Sequence, residues 1–340
     1  MPPITDHRTE TLSLVGTAGP RLPSRRRYPG PRVAAAWAAG VVAVLVLVCL
    51  AYVRTDDHGP QVRAAQSVSW PAEGQASVQV EGLGSRGELS KSGAQRPVPI
   101  ASVTKVMTAY VILRDRPLKA GSAGPSATVD EQAADESVSG VESTAQVSEG
   151  QRLSQRRLLE LMLIPSGNNI ARLLARWDSG TEDAFVAKMN RAARDLGMRH
   201  TTYTDASGIS PDNTSTAGDQ LRLARQVMRD ATFRSVVAKP GTEVPGTQET
   251  LRNTNTLLGR DGVIGGKTGS STPAGGNLMW AVVAPDRDGH DRLVLGVVLH
   301  QRADSSPEQG LESALDTSRT LIRDVRQWVS TTTREGGDVT

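Results

Sequence analysis

The chain has 340 residues, 38% of them hydrophobic and 22% charged, which is the make-up of a globular protein with room for one large domain or two modest ones, not of a disordered chain. Its net charge of +3 is misleading: residues 1–32 hold six arginines against Asp6 and Glu10, so the rest sits at −1 and offers no basic surface for nucleic acid. A single cysteine, Cys49, excludes an internal disulfide, and only 3% aromatics leave the core to Leu, Val, Ile, Ala and Met.

Residues 1–32, rich in Pro, Arg and Thr and without periodicity, are expected to form a disordered arm. From Val33 to Val53 no residue is charged, and 21 such residues suffice for a membrane-spanning helix, with Trp37 and Tyr52 near its two ends. Five arginines precede the run closely and Asp56 and Asp57 follow it, which places the N-terminus in the cytoplasm and everything after Val53 outside. The expected localisation is therefore the cell membrane, single-pass. A cleaved signal peptide is the rival reading; it wants a shorter apolar stretch and a small-x-small site, where Arg54, Asp56 and Asp57 stand instead. Cys49 lacks the small residues that a lipid-attachment site wants before it, and reads as a small buried hydrophobe.

A polar linker is expected over 54–75, then a globular domain over 76–330 and a disordered tail over 331–340. The domain opens with an alternating strand from Ala76 and a hairpin-like stretch with Gly84, Gly87 and Gly93. Residues 102–114 are apolar almost throughout, as in a buried helix. A helical pattern over 153–177, with Ser154 as a candidate cap, is interrupted at Pro165-Ser-Gly-Asn. Amphipathic helices are expected over 182–199 and 217–230. Two apolar, β-rich runs over 277–284 and 292–300 flank a turn sequence, and a last helix spans about 311–329. Strands at both ends with helices between them point to an α+β domain without internal repeats.

Three short motifs occur in order: Ser102-Val-Thr-Lys105, Ser166-Gly-Asn168 and Lys267-Thr268-Gly269. Only six of the 39 basic residues are lysines, at 91, 105, 119, 188, 239 and 267, and two of those fall inside the motifs. A lysine retained where arginine is the rule suggests a need for an amine that can give up its proton. Ser102 and Lys105 share a helix face, so a desolvated Lys105 near a second cation could activate the hydroxyl. Free N–H groups at the helix start could hold an oxyanion. Lys267 could be the second cation, Thr268 a hydroxyl for a carboxylate, and 264–270 an edge strand whose glycines admit a substrate backbone. Plainer readings stand beside these: Ser102 as a cap, Lys105 as a snorkelling surface residue, Ser166, Asn168 and Lys267-Thr-Gly as turn formers. His7, His58, His200, His290 and His300 are scattered, and Asp205 and Asn213 suit a structural turn.

The three motifs resemble those of the penicillin-binding proteins and serine β-lactamases. The longer stretches PIASVTKVMTAYVIL (99–113), LLELMLIPSGNNIARLLA (158–175), MNRAARDLGMRHTTYTDASGIS (189–210) and NTNTLLGRDGVIGGKTGSSTPAGG (253–276) resemble the low-molecular-weight D-alanyl-D-alanine carboxypeptidases in particular. The resemblance covers about 76–330. It implies an antiparallel sheet flanked by terminal helices, with an all-helical subdomain carrying the nucleophile. It further implies a serine D-Ala-D-Ala carboxypeptidase acting on peptidoglycan stem peptides, inhibited by β-lactam antibiotics, with no cofactor and no metal. By the same resemblance Ser102 would be acylated, Lys105 its base, and Ser166 the relay to the leaving D-alanine. Asn168 would bind substrate backbone, Lys267 would tune the field, Thr268 would grip the terminal carboxylate, Gly269 would leave room, and the N–H groups of Ser102 and Ser270 would form the oxyanion hole.

The chain departs from that pattern at Ser270-Ser271-Thr272, where an aromatic or His and then Thr is more usual, and at Asn169, where an acid is common. The few residues after the last helix leave the N-terminal helix as the expected anchor, in place of the β domain and C-terminal amphipathic helix of many relatives. The alternatives are a class A-like β-lactamase, which wants Asp where Gly167 stands and a deacylating Glu, an esterase of the same fold, or a non-catalytic peptidoglycan-binding module.

Overall fold

The computed structural model describes residues 68–82, 88–244 and 246–332. The expected arm, membrane span, most of the linker and the tail after residue 332 lie outside the described residues. The chain divides after Asp57, and everything described belongs to the second unit. Among the described residues no helix is long and apolar enough to cross a membrane.

The chain enters with β1 (Gln75–Val80) and turns back into β2 (Glu88–Ser92). A short strand β3 (Val98–Pro99) leads to a 3-10 turn, Ala101–Thr104, which runs straight into helix α1 (Lys105–Asp115). A mainly helical stretch follows: β4 (Ser126–Thr128), α2 (Glu131–Glu136), β5 (Arg152–Ser154), α3 (Gln155–Leu163), α4 (Asn168–Ser179), α5 (Glu182–Asp195), β6 (Thr214–Ser215), α6 (Ala217–Val227) and α7 (Ala231–Val237). The ribbon β7 (Gly241–Glu243) and β8 (Thr250–Arg252) returns the chain to the sheet, completed by β9 (Val263–Ser271), β10 (Gly275–Pro285) and β11 (Asp291–Gln301). Helix α8 (Pro307–Thr331) follows.

The main sheet has the order β2-β1-β11-β10-β9, antiparallel throughout, so the first strand pairs with the last and β9 is an edge. Both faces are covered. Met279 and Ala281 of β10, with Leu295, Val297 and Leu299 of β11, join the core of the helical layer around Met107, Leu161, Phe185 and Phe233. Leu278, Trp280 and Val282, with Val294 and Val298, face α8 through Leu321, Ile322, Val325 and Val329. A strand buried on both faces needs no polar alternation, hence the near-continuous apolar runs. Each such large side chain contributes about 1.5–3 kcal/mol on burial.

Local signals place the helices. Ser154 accepts from the Arg157 N–H at 3.3 Å, and Thr181, Thr216 and Asp230 cap α5, α6 and α7 in the same way. Ser306 caps α8, with Pro307 in its first turn. Several boundaries differ from expectation: α5 ends at Asp195 instead of 199, and α6 at Val227 instead of 230. The domain begins before residue 76, because Val68 is buried and Trp70 packs against the α8 side of the sheet. Helix α8 starts at Pro307 instead of 311. Ser102 lies in the 3-10 turn and not in the α-helix, since Ala101 at φ 45° forces a tight entry.

Candidate active site

The helical wall of the cleft is built by the 3-10 turn, α1 and the start of α4. Lys105 is fully buried, and its Nζ lies 2.7 Å from Ser102 Oγ, 2.5 Å from Asn168 Oδ1 and 2.7 Å from the Ser207 carbonyl. Its partners are thus a hydroxyl, an amide and a peptide oxygen, with no carboxylate in bonding contact among the described residues. Burial first, then the charge of Lys267, pushes Lys105 well below the ordinary lysine range; Asp205 and Glu142 partly oppose this. The spacing of Ser102 and Lys105 therefore does bring hydroxyl and amine together, although across a 3-10 turn.

The break between α3 and α4 presents the second motif. Ser166 sits at φ 72°, a left-handed backbone that a non-glycine residue adopts only when its surroundings impose it. Its buried hydroxyl accepts from Lys267 Nζ at 3.0 Å. Asn168 opens α4, and its backbone N–H donates to the Ser143 carbonyl at 2.8 Å.

The sheet wall is the edge strand β9. Lys267 is buried there, donates also to the Thr268 carbonyl at 2.8 Å, and is lowered by burial to about 7. Thr268 Oγ1 lies 2.5 Å from Thr254 Oγ1. Gly269 lets the two walls meet: a Cβ there would stand 2.8 Å from the Val103 nitrogen and 2.9 Å from the Ser102 nitrogen, closer than side chains tolerate. Ser102, Asn168 and Ser270 line one cavity of about 550 Å³ together with Ala101, Glu142 and Ile209. All eight residues singled out by sequence are placed along these two walls.

Loops outside the three motifs hold the walls in place. Asp205 accepts from the N–H groups of Ser207, Gly208 and Ser210 and from Asn213 Nδ2, which fixes the Ser207 carbonyl against Lys105. Burial raises the Asp205 carboxyl, but these donors outweigh it and hold it low. The structural turn expected of Asp205 and Asn213 is thus present, and it also supports the cleft. Asn169, the odd residue of its motif, accepts from Ala145 N–H at 3.0 Å and donates to the carbonyls of Ala133 and Ala145, stitching the 133–145 loop to α4. Glu142 accepts from Asn168 Nδ2 and from Arg172. Neither Glu142 nor Thr254 carries a sequence signal. Asp205-x-Ser-Gly does, as a side-chain turn.

Among the described residues one group could bring three metal-ligand atoms together: Asp286, Asp288 and His290 in the β10–β11 turn. None lines the cleft, and Asp286 is already bonded to the Arg292 guanidinium and to the N–H groups of Asp288 and His290.

A family model described as D-alanyl-D-alanine carboxypeptidase matches residues 85–302. The chain is 35% identical over 214 residues to a D-alanyl-D-alanine carboxypeptidase of Streptomyces sp. strain K15, covering 58% of this chain and 71% of that one. It is 41% identical over 126 residues to a D-alanyl-D-alanine endopeptidase of Pseudomonas aeruginosa, covering 37% and 38% of the two. The solved Streptomyces K15 DD-transpeptidase superposes with a TM-score of 0.64 at 28% identity, over 76% of this chain and 98% of that one.

Proposed function

The chain belongs to the D-alanyl-D-alanine carboxypeptidase family and is a serine peptidase of D-Ala-D-Ala ends in peptidoglycan, and we propose that it works through an acyl-enzyme on Ser102. The observation that carries this reading is the buried Lys105 amine, 2.7 Å from the Ser102 hydroxyl and depressed in pKa. A serine hydroxyl is a poor nucleophile until a base takes its proton, and a neutral amine can do so at working pH.

In this mechanism Ser102 Oγ attacks the carbonyl carbon of the penultimate D-alanine, and its proton passes to Lys105. The N–H groups of Ser102 and Ser270 hold the oxyanion, a contribution of roughly 3–4 kcal/mol per donor. The C–N bond then breaks, the departing D-alanine amine takes a proton through Ser166, and the acyl group stays on Ser102. Thr268 and Lys267 hold the terminal carboxylate, Asn168 the substrate backbone, and Gly269 leaves the strand close to the turn. Water releases the shortened stem peptide and restores the hydroxyl. Penicillin enters by the same attack, but its leaving group stays tethered and shields the ester, so β-lactams inhibit.

Mass spectrometry after exposure to penicillin tests this. The parent gains one penicillin mass and Ser102→Ala gains none; a gain retained in Ser102→Ala overturns the assignment. Release of D-alanine from a D-Ala-D-Ala peptide should disappear in the same variant.

The catalytic domain is further proposed to be held outside the cell by the apolar run 33–53, supported by its length and arginine-rich flank. The protein should then stay in the membrane fraction through a high-salt wash. A mature N-terminus near residue 64 would replace the anchor with a cleaved signal.

A further inference from the structure

Asn168 is bonded on both sides of its amide. Oδ1 accepts from Lys105 Nζ and Nδ2 donates to Glu142 Oε2, each at 2.5 Å. The orientation matters for the base. A neutral lysine has two N–H donors and one lone pair. With its donors spent on Asn168 Oδ1 and the Ser207 carbonyl, the lone pair is left facing Ser102 Oγ. Turned over, the amide would present N–H to Lys105 and compete with Ser102 for that lone pair.

A carboxylate only accepts hydrogen bonds, so beside Glu142 the Asn168 amide has one favoured orientation. Glu142 is itself clamped. Arg172, one turn along α4 from Asn168, gives Nη2 to Oε1 at 2.6 Å and Nη1 to Oε2 at 3.3 Å, while its Nε holds Glu136 at 2.8 Å. Burial acts to raise the Glu142 carboxyl, but the bonds from Arg172 and Asn168 outweigh it and keep it ionised. Glu142 and Arg172 are each largely buried.

We propose that Glu142, clamped by Arg172, is a positioning residue that sets the orientation of the Asn168 amide and so reserves the Lys105 lone pair for Ser102. The proposal rests on the acyl-transfer reading above and adds to it a residue outside the three motifs.

The experiment measures the rate of penicillin acylation against pH for full-length parent, Glu142→Gln, Asn168→Ala and the double variant. A glutamine amide both donates and accepts, so it no longer dictates the orientation of Asn168. Glu142→Gln should lower the plateau rate by about tenfold or more, and the same change should have less than about a twofold effect in the Asn168→Ala background, since a residue acting through another loses its effect when that other is gone. The charged groups facing Lys105 are Lys267 on β9, Asp205 in the loop after α5, Arg172 on α4 and Glu142. Removing the Glu142 charge lowers Lys105 further, so the rising limb should also move to lower pH. A shifted limb with an unchanged plateau would make Glu142 a charge alone and overturn the proposal. So would an equal loss in both backgrounds, which marks a purely structural role. Should Glu142→Gln fail to fold, Arg172→Lys, which breaks the fork without removing the charge, is read in the same cycle. A parent that is not acylated would count against acyl transfer itself; an acylated parent with unaffected variants counts against this proposal alone.

Discussion

The helical wall and the sheet wall of the cleft each bury a lysine, in different company. Lys105 lies among three oxygen atoms, with the charges of Asp205 and Glu142 partly offsetting its burial and the neighbouring Lys267. Lys267 has one hydroxyl and one carbonyl, and burial alone brings it to about 7. Surroundings thus divide two identical side chains between two tasks. Lys105 is driven well below the ordinary lysine range with its amine against the Ser102 hydroxyl. Lys267 stands near its titration point, where an arriving carboxylate would favour the charged form.

The sharpest way to break this division is to make one substitution at both sites. Lys105→Arg installs a group that keeps its proton, and penicillin acylation should fall by about 10²–10⁴-fold. Lys267→Arg keeps the charge and should lose only about tenfold, mainly in KM for D-Ala-D-Ala peptide. Equal losses in stopped-flow acylation would erase the distinction.

Separating the two walls should come next in size. Gly269→Val puts side-chain atoms where the Ser102 and Val103 nitrogens stand. Overpacking of this kind costs about 1–3 kcal/mol, and because the strain falls on the turn that carries Ser102, acylation should drop roughly a hundredfold while thermal unfolding stays cooperative. Acylation within threefold of the parent would show that the walls can part without consequence.

A smaller effect concerns pH. The folded pKa of Lys267 is lowered from 10.5 to about 7, so the unfolded chain holds this proton more tightly. The burden of burying the charge is full below about pH 7 and is relieved as pH rises towards 10.5. Lys267→Met should therefore raise Tm, most below pH 7 and progressively less above it, while weakening substrate binding. In the parent, KM should rise as pH passes through about 7. A Tm gain independent of pH would remove Lys267 from the titration.

The smallest expected effect tests a residue that supports the sheet wall from behind. Thr254→Val deletes the hydroxyl 2.5 Å from Thr268 Oγ1, worth about 1 kcal/mol, and should raise KM several-fold with kcat nearly unchanged. Thr254→Ser should restore it. A kcat effect without a KM effect would move Thr254 away from carboxylate binding.

The sequence carried the sheet and the three motifs well because each has a local signature. The runs over 277–284 and 292–300 are apolar on both faces, and Ser154 announces α3 by its cap. Short elements were illegible: α2 and the β4–β5 and β7–β8 ribbons owe their form to partners distant in sequence. The same reason hid Glu142, Thr254 and the Ser207 carbonyl, whose positions depend on α4, β9 and the Asp205 turn. The left-handed Ala101, which moved Ser102 out of the α-helix, is likewise imposed from outside: Gly208 packs against its carbonyl so closely that a Cβ would lie 2.0 Å away.

The register that joins Gln75 to Leu299 also sets a schedule. As the chain folds, the helical layer can gather from contacts close in sequence, whereas β1 waits with Ala76, Val78 and Val80 uncovered until β11 joins it. The strand bearing Lys267 likewise gains its neighbour β10 late. The folding chain therefore holds Ser102 and Lys105 long before it owns a cleft, and the completed cleft arrives as one of the last events of folding.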